Sequence, residues 1–152
     1  MRQIKITFPE LNIEATATMI EEKAPDTCHI VWTFLEKPWE STVNIGIETG
    51  PEIWFLVPSA PELPNENSTV FPIPGDLLFY HYDGQLPHGE KVYDIGIYYN
   101  RGGKSLLKVG WTPGNLFATI TENLSGVQKV AGEMFRTGPK KIVVQKVSQE
   151  KG

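Results

Sequence analysis

An apolar helix entered through proline, directly after a long alternating run, constrains the fold of this chain more than any other feature. Pro25 suits the first helical turn, where its missing N–H has no intrahelical partner, and Asp26 sets negative charge near the positive end of the helix dipole. Cys28, Val31, Trp32 and Leu35 recur at helical intervals, and Ile30 and Phe34 widen the stripe, so one face of this helix must be buried. Upstream, Ile4, Ile6 and Phe8 alternate with polar neighbours, and Leu11, Ile13, Ala15, Ala17 and Met19 do so over a longer run. That period of two predicts two strands, joined through Pro9-Glu10 as an antiparallel hairpin with one wet face. The helix that follows is predicted to plug an apolar opening.

Farther along, Thr42–Ile47 and Glu52–Val57 are β-rich runs separated by the turn cluster Glu48-Thr49-Gly50-Pro51, which predicts a second hairpin. The segment from Pro58 to Pro74 holds five prolines and predicts an ordered excursion across the surface. Strands are predicted at Leu77–Tyr82, Val92–Tyr99 and Leu106–Trp111, with a loop over Asp83–Glu90. The short apolar run Leu116–Ile120 fits either a strand or a helical turn. Ser125 and Gln128 have capping-box spacing, and Leu124, Val127, Val130, Ala131, Met134 and Phe135 repeat at helical intervals until Gly138-Pro139, which predicts a second helix. Ile142–Val144 with Val147 predicts a closing strand. About seven or eight strands in hairpins with two helices favour a closed antiparallel barrel, mainly β, with a helix at each open end.

Length bounds the architecture, because 152 residues suit one domain with a substantial core. No apolar run approaches the roughly 20 residues of a membrane helix, which excludes that kind of span. The first residues alternate Ile with Lys and Thr and lack a secretory pattern, so a cytoplasmic location is expected. A net charge of -4 argues against nucleic-acid binding, since phosphate recognition needs a concentrated basic surface. The one basic cluster, Lys140-Lys141 with Lys146, reads as a solvated strand edge that discourages pairing. Cys28 cannot form an internal disulfide and lies on the apolar stripe, where packing accounts for it. A homo-oligomer is compatible with the sequence.

The candidate site is assembled from scattered residues. Glu48 and Glu52 flank the Thr49-Gly50-Pro51 turn, and two carboxylates near one site can differ enough in pKa to divide acid and base work. Glu52 is favoured for proton transfer because Ile53, Trp54 and Phe55 follow it as an apolar wall; Trp39 and Trp111 offer similar walls. His81, between Tyr80 and Tyr82, is the second candidate for proton transfer, ahead of His29 and His88. Asn67 is a candidate ligand contact or a loop residue satisfying backbone groups. Tyr98 and Arg101 end a strong strand, and Arg101 suits a substrate carboxylate. Histidine and cysteine pairs at metal-site spacing are missing, as are phosphate loops, nucleophile elbows and dinucleotide fingerprints. Neither a metal nor a cofactor is therefore expected, and the expected partner is a small-molecule substrate or ligand.

The join of Ala15–Ile20 to Ala24-Pro25-Asp26-Thr27 and its apolar helix resembles the start of cyclophilins, where a strand leads into an Ala/Val-Pro-x-Thr helix. Gly50-Pro51-Glu52-Ile53-Trp54-Phe55, Glu66-Asn67, Pro72-Ile73-Pro74-Gly75-Asp76-Leu77 and Gly114–Ile120 resemble a little-characterised bacterial and archaeal family with a cyclophilin-like fold. The resemblance covers most of the chain and implies an eight-stranded barrel capped by two helices. Prolyl isomerase activity does not follow from it. The Phe-His-Arg segment those isomerases carry after the first helix is missing, and the arginines are Arg2, Arg101 and Arg136. A further resemblance, of fold, is to cucumopine synthase. It implies a cofactor-independent, opine-synthase-like condensation of an amino acid such as histidine with a 2-oxo acid. The competing expectation is a small-ligand or protein-binding module without chemistry.

Overall fold

The structure, a computed structural model, describes residues 1–59, 62–82 and 92–148. The loop predicted over Asp83–Glu90, and His88 with it, lies outside the described residues. Strands β1 (Gln3–Phe8) and β2 (Ile13–Met19) form the expected first hairpin, turned by a single 3-10 turn at Pro9–Leu11. Asn12 closes that turn in the left-handed region, where asparagine is better tolerated than most side chains. Helix α1 (Pro25–Phe34) begins at Pro25, and then come β3 (Trp39–Ile45) and β4 (Glu52–Leu56). A two-residue strand β5 (Ser68–Thr69) precedes β6 (Asp76–Tyr82) and β7 (Val92–Tyr98).

Leu106–Trp111, predicted as one strand, is instead a tiny hairpin of β8 (Leu106–Leu107) and β9 (Gly110–Trp111), because Gly110 takes a φ of 110° and reverses the chain. Leu116–Ile120 resolves as strand, inside β10 (Gly114–Glu122). Helix α2 (Leu124–Thr137) is capped by Asn123, whose side-chain oxygen accepts from Gly126 N at 3.1 Å, and not by the predicted Ser125 box. Strand β11 (Lys140–Lys146) completes the elements.

Eight of these strands close a barrel in the order β2-β1-β11-β3-β4-β7-β6-β10, with β10 returning to β2 through Thr119 opposite Thr18 and Ile120 opposite Ala17. All neighbours run antiparallel, and β5 adds a short ninth strand on the far end of β10. Closure leaves no free edge among the eight, as barrels require. One predicted detail changes accordingly. Strand β11 is flanked by β1 and β3 on both sides, so its lysines do not guard an edge; Lys140 is buried and its Nζ donates to the Thr137 carbonyl at 3.4 Å.

Alternation decides what faces inward. Ile4, Ile6, Ala15, Ala17, Val43, Ile53, Phe55, Leu77, Phe79, Ile95, Ile97, Ile142 and Val144 fill one core with Cys28, Val31 and Leu35 of the first helical segment and Val127, Val130, Ala131 and Met134 of α2. Trp32, expected on the buried stripe, is only half-buried: Arg2 and Lys146 both lie over its ring, at 4.8 and 4.7 Å from the centroid. The Cys28 thiol is buried, donates to the Phe117 carbonyl, and is pushed up to about 12, chiefly by burial, so it is unreactive packing.

Candidate functional site

A second, smaller apolar cluster of Leu78, Tyr80 and Tyr98, with Leu116 against it, lies on the other face of the barrel wall. The parity of the strands explains it. On β6, Leu77 and Phe79 point into the barrel, so Leu78 and Tyr80 point out; on β7, Ile95 and Ile97 point in, so Asp94, Gly96 and Tyr98 point out. On β4, Ile53 and Phe55 point in, so Glu52 and Trp54 join the same outer face. Register then sets the neighbours: Glu52 lies opposite Tyr98, Trp54 opposite Gly96, and Gly96 opposite Leu78 on its other side, while Tyr80 lies opposite Asp94.

Two loops fold over part of this wall. The turn at Thr49-Gly50 accepts Lys104 N at its Thr49 carbonyl, 3.1 Å, and Ser105 N donates to Val70 O at 2.9 Å. Glu48, paired with Glu52 in the sequence reading, is drawn instead to the β8–β9 hairpin, where its carboxylate accepts Lys108 N at 2.9 Å. Glu52 is therefore left as the covered acid, only 5% exposed.

Two glycines make the room it occupies, and a third does so for its neighbour Tyr80. A Cβ on Gly96 would stand 2.0 Å from Glu52 Oε2, and one on Gly46 would stand 2.9 Å from Oε1, so the carboxyl lies directly over two residues that lack side chains. A Cβ on Gly114 would collide with the Tyr80 ring at 2.8 Å, so a third glycine admits that ring to the wall. Thr49 Oγ1 donates to Glu52 Oε1 at 2.7 Å. Burial pushes the Glu52 carboxyl up to about 7, overcoming the Thr49 and Tyr98 hydroxyls that favour its charged form.

Beside it runs a chain of hydroxyls: Tyr80 and Tyr98 stand 2.7 Å apart, and the Ser105 hydroxyl bonds Tyr80 closely and lies 3.4 Å from Tyr98. Burial, and then the charge on Glu52, raise both phenols above their ordinary range, so they remain neutral donors at any physiological pH. Asp94 is a second acid on this face. It is 6% exposed, and its pKa is raised well above the ordinary value, first by burial and then by Glu52. The arrangement can hold and move a proton near neutral pH.

The other candidates are distributed differently. Trp54 is half-buried, with its indole nitrogen donating to the Ile45 carbonyl at 3.2 Å, which fixes the ring beside Gly96. Arg101 is exposed in the turn whose Gly102 carbonyl abuts Gly50, at the rim of the same wall. His81 lies on the face of β6 that carries Leu77 and Phe79, across the wall from Glu52. Asn67 is in the left-handed region and its amide donates to the Leu116 carbonyl at 2.8 Å, which binds β5 to β10. Asp94, Thr49, Tyr80 and Ser105 were not singled out by sequence. Only the strand parity shared with Glu52 and Tyr98 could have indicated Tyr80 and Asp94, and nothing local marks Thr49 or Ser105. Among the described residues, no three His, Cys, Asp or Glu side chains gather as metal ligands, and no helix is long and apolar enough to cross a membrane.

Fold and site together define a closed antiparallel barrel with two helical plugs and a loop-covered, acid-bearing outer wall. The chain belongs to the DUF3830 family, described as a protein of unknown function, whose pattern matches residues 6–145. No curated protein matches it. Among solved structures it is similar to the structure of McbB in complex with tryptophan, at 15% identity and a TM-score of 0.71. The match covers 98% of this chain and 46% of that one, so this chain spans less than half of the McbB length. At that identity the likeness is one of fold.

Proposed function

We propose that this chain is a small-molecule enzyme on a cyclophilin-like barrel, with Glu52 transferring a proton on the outer wall without a cofactor. The observation that carries the reading is the Glu52 carboxyl itself: covered, laid over glycines, held by Thr49, and poised at about 7. A general acid or base is most effective when its pKa lies near the working pH, and burying a carboxyl among apolar groups costs stability that folding alone does not require. Tyr80, Tyr98 and Ser105 would orient the acid and the substrate, and Trp54 would wall the reacting group.

The reaction class that suits this site is an opine-synthase-like condensation of an amine with a 2-oxo acid. Glu52 takes the proton that leaves the neutral amine as nitrogen bonds to the carbonyl carbon and passes it to the carbonyl oxygen, which becomes a hydroxyl; the second proton of the nitrogen then follows the same route as that hydroxyl departs as water and the C=N bond forms. Arg101 at the rim suits the carboxylate of the 2-oxo acid. That a structural neighbour was solved with tryptophan supports an amino-acid-sized substrate on such a scaffold. His81 and Asn67 are given no role, since one faces away and the other is spent on backbone.

The test is incubation with histidine or tryptophan together with a panel of 2-oxo acids, followed by mass analysis. A product whose mass equals the two reactants less water, with or without ring closure, and whose formation is lost in Glu52→Gln, is the expected result. Absence of any product across the panel, or normal turnover by the variant, defeats the reading. One observation favours a binding module instead: Ile47, Phe71, Ile73, Val109 and Trp111 are all exposed, with Phe71 and Trp111 in edge contact at 5.3 Å. Saturable ligand binding without conversion would choose that reading.

A further inference from the structure

The groups given work on the outer wall are all shut away: Glu52, Tyr80, Tyr98 and Ser105 are buried. The Glu52 carboxyl and the Tyr80 ring themselves fill the place over Gly96. A substrate therefore reaches the acid only after something above it moves. What rests on the two tyrosines is the stretch of residues 102–112. A Cβ on Gly103 would stand 2.6 Å from Tyr98 Cδ1 and 3.2 Å from Pro72 Cγ, so the backbone there lies against the phenol ring. Two residues on, the Ser105 hydroxyl reaches down to bond Tyr80. Gly103, Ser105 and Thr112 are buried, whereas Lys104, Lys108, Val109 and Trp111 are exposed, so this cover is a single layer of chain.

Its attachment differs from that of the wall beneath. Strands β4, β6 and β7 are laddered side by side in the barrel, but β8 and β9 pair only with each other and form a separate two-stranded sheet. The cover is fastened to other loops: Lys104 N donates to the Thr49 carbonyl at 3.1 Å, Ser105 N to the Val70 carbonyl at 2.9 Å and Lys108 N to the Glu48 carboxylate at 2.9 Å. The Trp111 ring meets Phe71 edge-on, and both are exposed. Two glycines stand where the stretch begins. Gly102 takes a φ of 92°, and a Cβ built there would meet nothing within 4 Å, so neighbouring atoms do not block rotation at that point. Pro113-Gly114 bounds the other end, where β10 begins. Segments held by a few exposed bonds open at far lower cost than the strands under them.

We propose that residues 102–112 form a hinged cover that swings from Gly102-Gly103 and Pro113-Gly114 to admit the substrate to Glu52. The proposal rests on the enzymatic reading of Glu52 for its purpose, but its test reads access to the carboxyl and needs no product. Glu48 acts as the outer latch, and Ser105 is the point at which the closed cover touches the hydroxyls beside the acid.

The experiment joins two measurements on the intact chain: native-state hydrogen exchange read by NMR, and labelling of Glu52 by a water-soluble carbodiimide with glycine ethyl ester, read by peptide mass. The Lys104 and Ser105 amides, although hydrogen-bonded, are expected to exchange at least about 100-fold faster than the bonded amides of β4 and β7. Glu48→Ala removes the acceptor of Lys108 N and should speed both that exchange and the labelling of Glu52, each by about five-fold. Joining Glu48→Cys to Lys108→Cys with a cleavable bis-maleimide should slow the labelling at least about ten-fold, and cleaving the link should restore it. Cys28 is buried and does not compete for the reagent. Exchange of Lys104 and Ser105 as slow as that of the strands overturns the proposal, and this outcome needs no variant. Labelling of Glu52 that ignores both the lost latch and the cross-link overturns it as well. Access governed by the cover, without product from any 2-oxo acid, would sink the enzymatic reading alone; product formed at an undiminished rate with the hairpin linked shut would sink this one alone.

Discussion

Two buried polar clusters in this barrel use similar residues to opposite ends. At the foot of α1, the Asn115 amide, 0% exposed, donates to Thr27 Oγ1 at 3.1 Å and Pro64 O at 3.0 Å, while its oxygen accepts Glu66 N at 3.3 Å. Glu66 Oε1 in turn accepts Thr27 N at 2.6 Å, placing its charge on the first turn of the helix, where the dipole favours it. Every group there is answered, and the result is a lock between plug and barrel. On the outer wall, Glu52 and Asp94 are also covered, at 5% and 6% exposed, but burial pushes both carboxyls up and Glu52 makes Asp94 harder still to ionise. A network that holds a carboxylate on a helix end marks structure; a covered carboxyl pushed up towards neutral pH is suited to exchanging a proton.

That contrast can be broken by substitution. The largest effect expected is on turnover: Glu52→Gln should lower kcat by about 10²–10⁴-fold, the usual worth of a general acid or base, while substrate affinity changes little. Steady-state kinetics of the condensation assay decide it, and a variant with unchanged kcat erases the difference between the clusters. Next in size, Asn115→Ala should cost about 3 kcal/mol in urea unfolding, because Thr27, Pro64 and Glu66 lose partners together, with no direct effect on Glu52 chemistry.

Stability against pH separates the clusters further. The folded Glu52 carboxyl titrates near 7 against 4.5 unfolded, so between those values the folded state holds the proton that the unfolded state has released. Stability must therefore fall as pH rises through that window, by on the order of 3 kcal/mol from this group, and then level off. Asp94, shifted in the same direction, adds to the slope from lower pH. Glu52→Gln should lose its share of the slope and exceed the parent in stability at pH 8, as read by denaturant melts at pH 5 and 8.

Gly96→Ala sharpens the same point at smaller cost. Its methyl would displace the Glu52 carboxyl, lowering turnover at least about ten-fold and stability by about 1–3 kcal/mol. In a Glu52→Ala background the stability loss should shrink by about 1 kcal/mol or more, which a double-mutant cycle measures. The smallest effect belongs to Asn67→Gly, expected to cost about 1 kcal/mol through the lost bond to Leu116 with turnover retained.

The barrel was legible because its information is periodic. Alternation in Ile4–Phe8 and Ile13–Met19, and the helical stripes before Leu35 and Met134, depend on the chain's own geometry and survive any tertiary arrangement. Where the reading departed from the structure, one local signal outweighed another. Ser125 has box spacing, but Asn123, able to take the left-handed conformation, caps α2 two residues earlier, and Gly110 splits a run that looks continuous. The lysines of β11 resembled an edge because strand order is not written in the strand itself.

The site was legible only in its parts. Glu52, Trp54 and Tyr98 were singled out, yet their grouping depends on the β4–β7 register, a contact between segments more than forty residues apart in the sequence. Asp94 looked like an ordinary polar residue of an alternating strand. Its burial beside Glu52 follows from the pairing of β7 with its neighbours and has no local signature. Gly46, Gly96 and Gly114 read in sequence as turns or weak points and in the structure as the space that the acid and the tyrosine fill.

Strand β11 carries a consequence for biosynthesis, since it lies between β1 and β3 and pairs with both. On the ribosome, the amino-terminal hairpin and the β3–β4 pair can form early, but the ring cannot shut until residue 146 has cleared the exit tunnel. Until then two pairing edges and the plugged interior stand open to solvent and neighbours. Chaperone dependence during translation, and sensitivity to stalling near Gly138, should exceed what the finished barrel's stability would suggest.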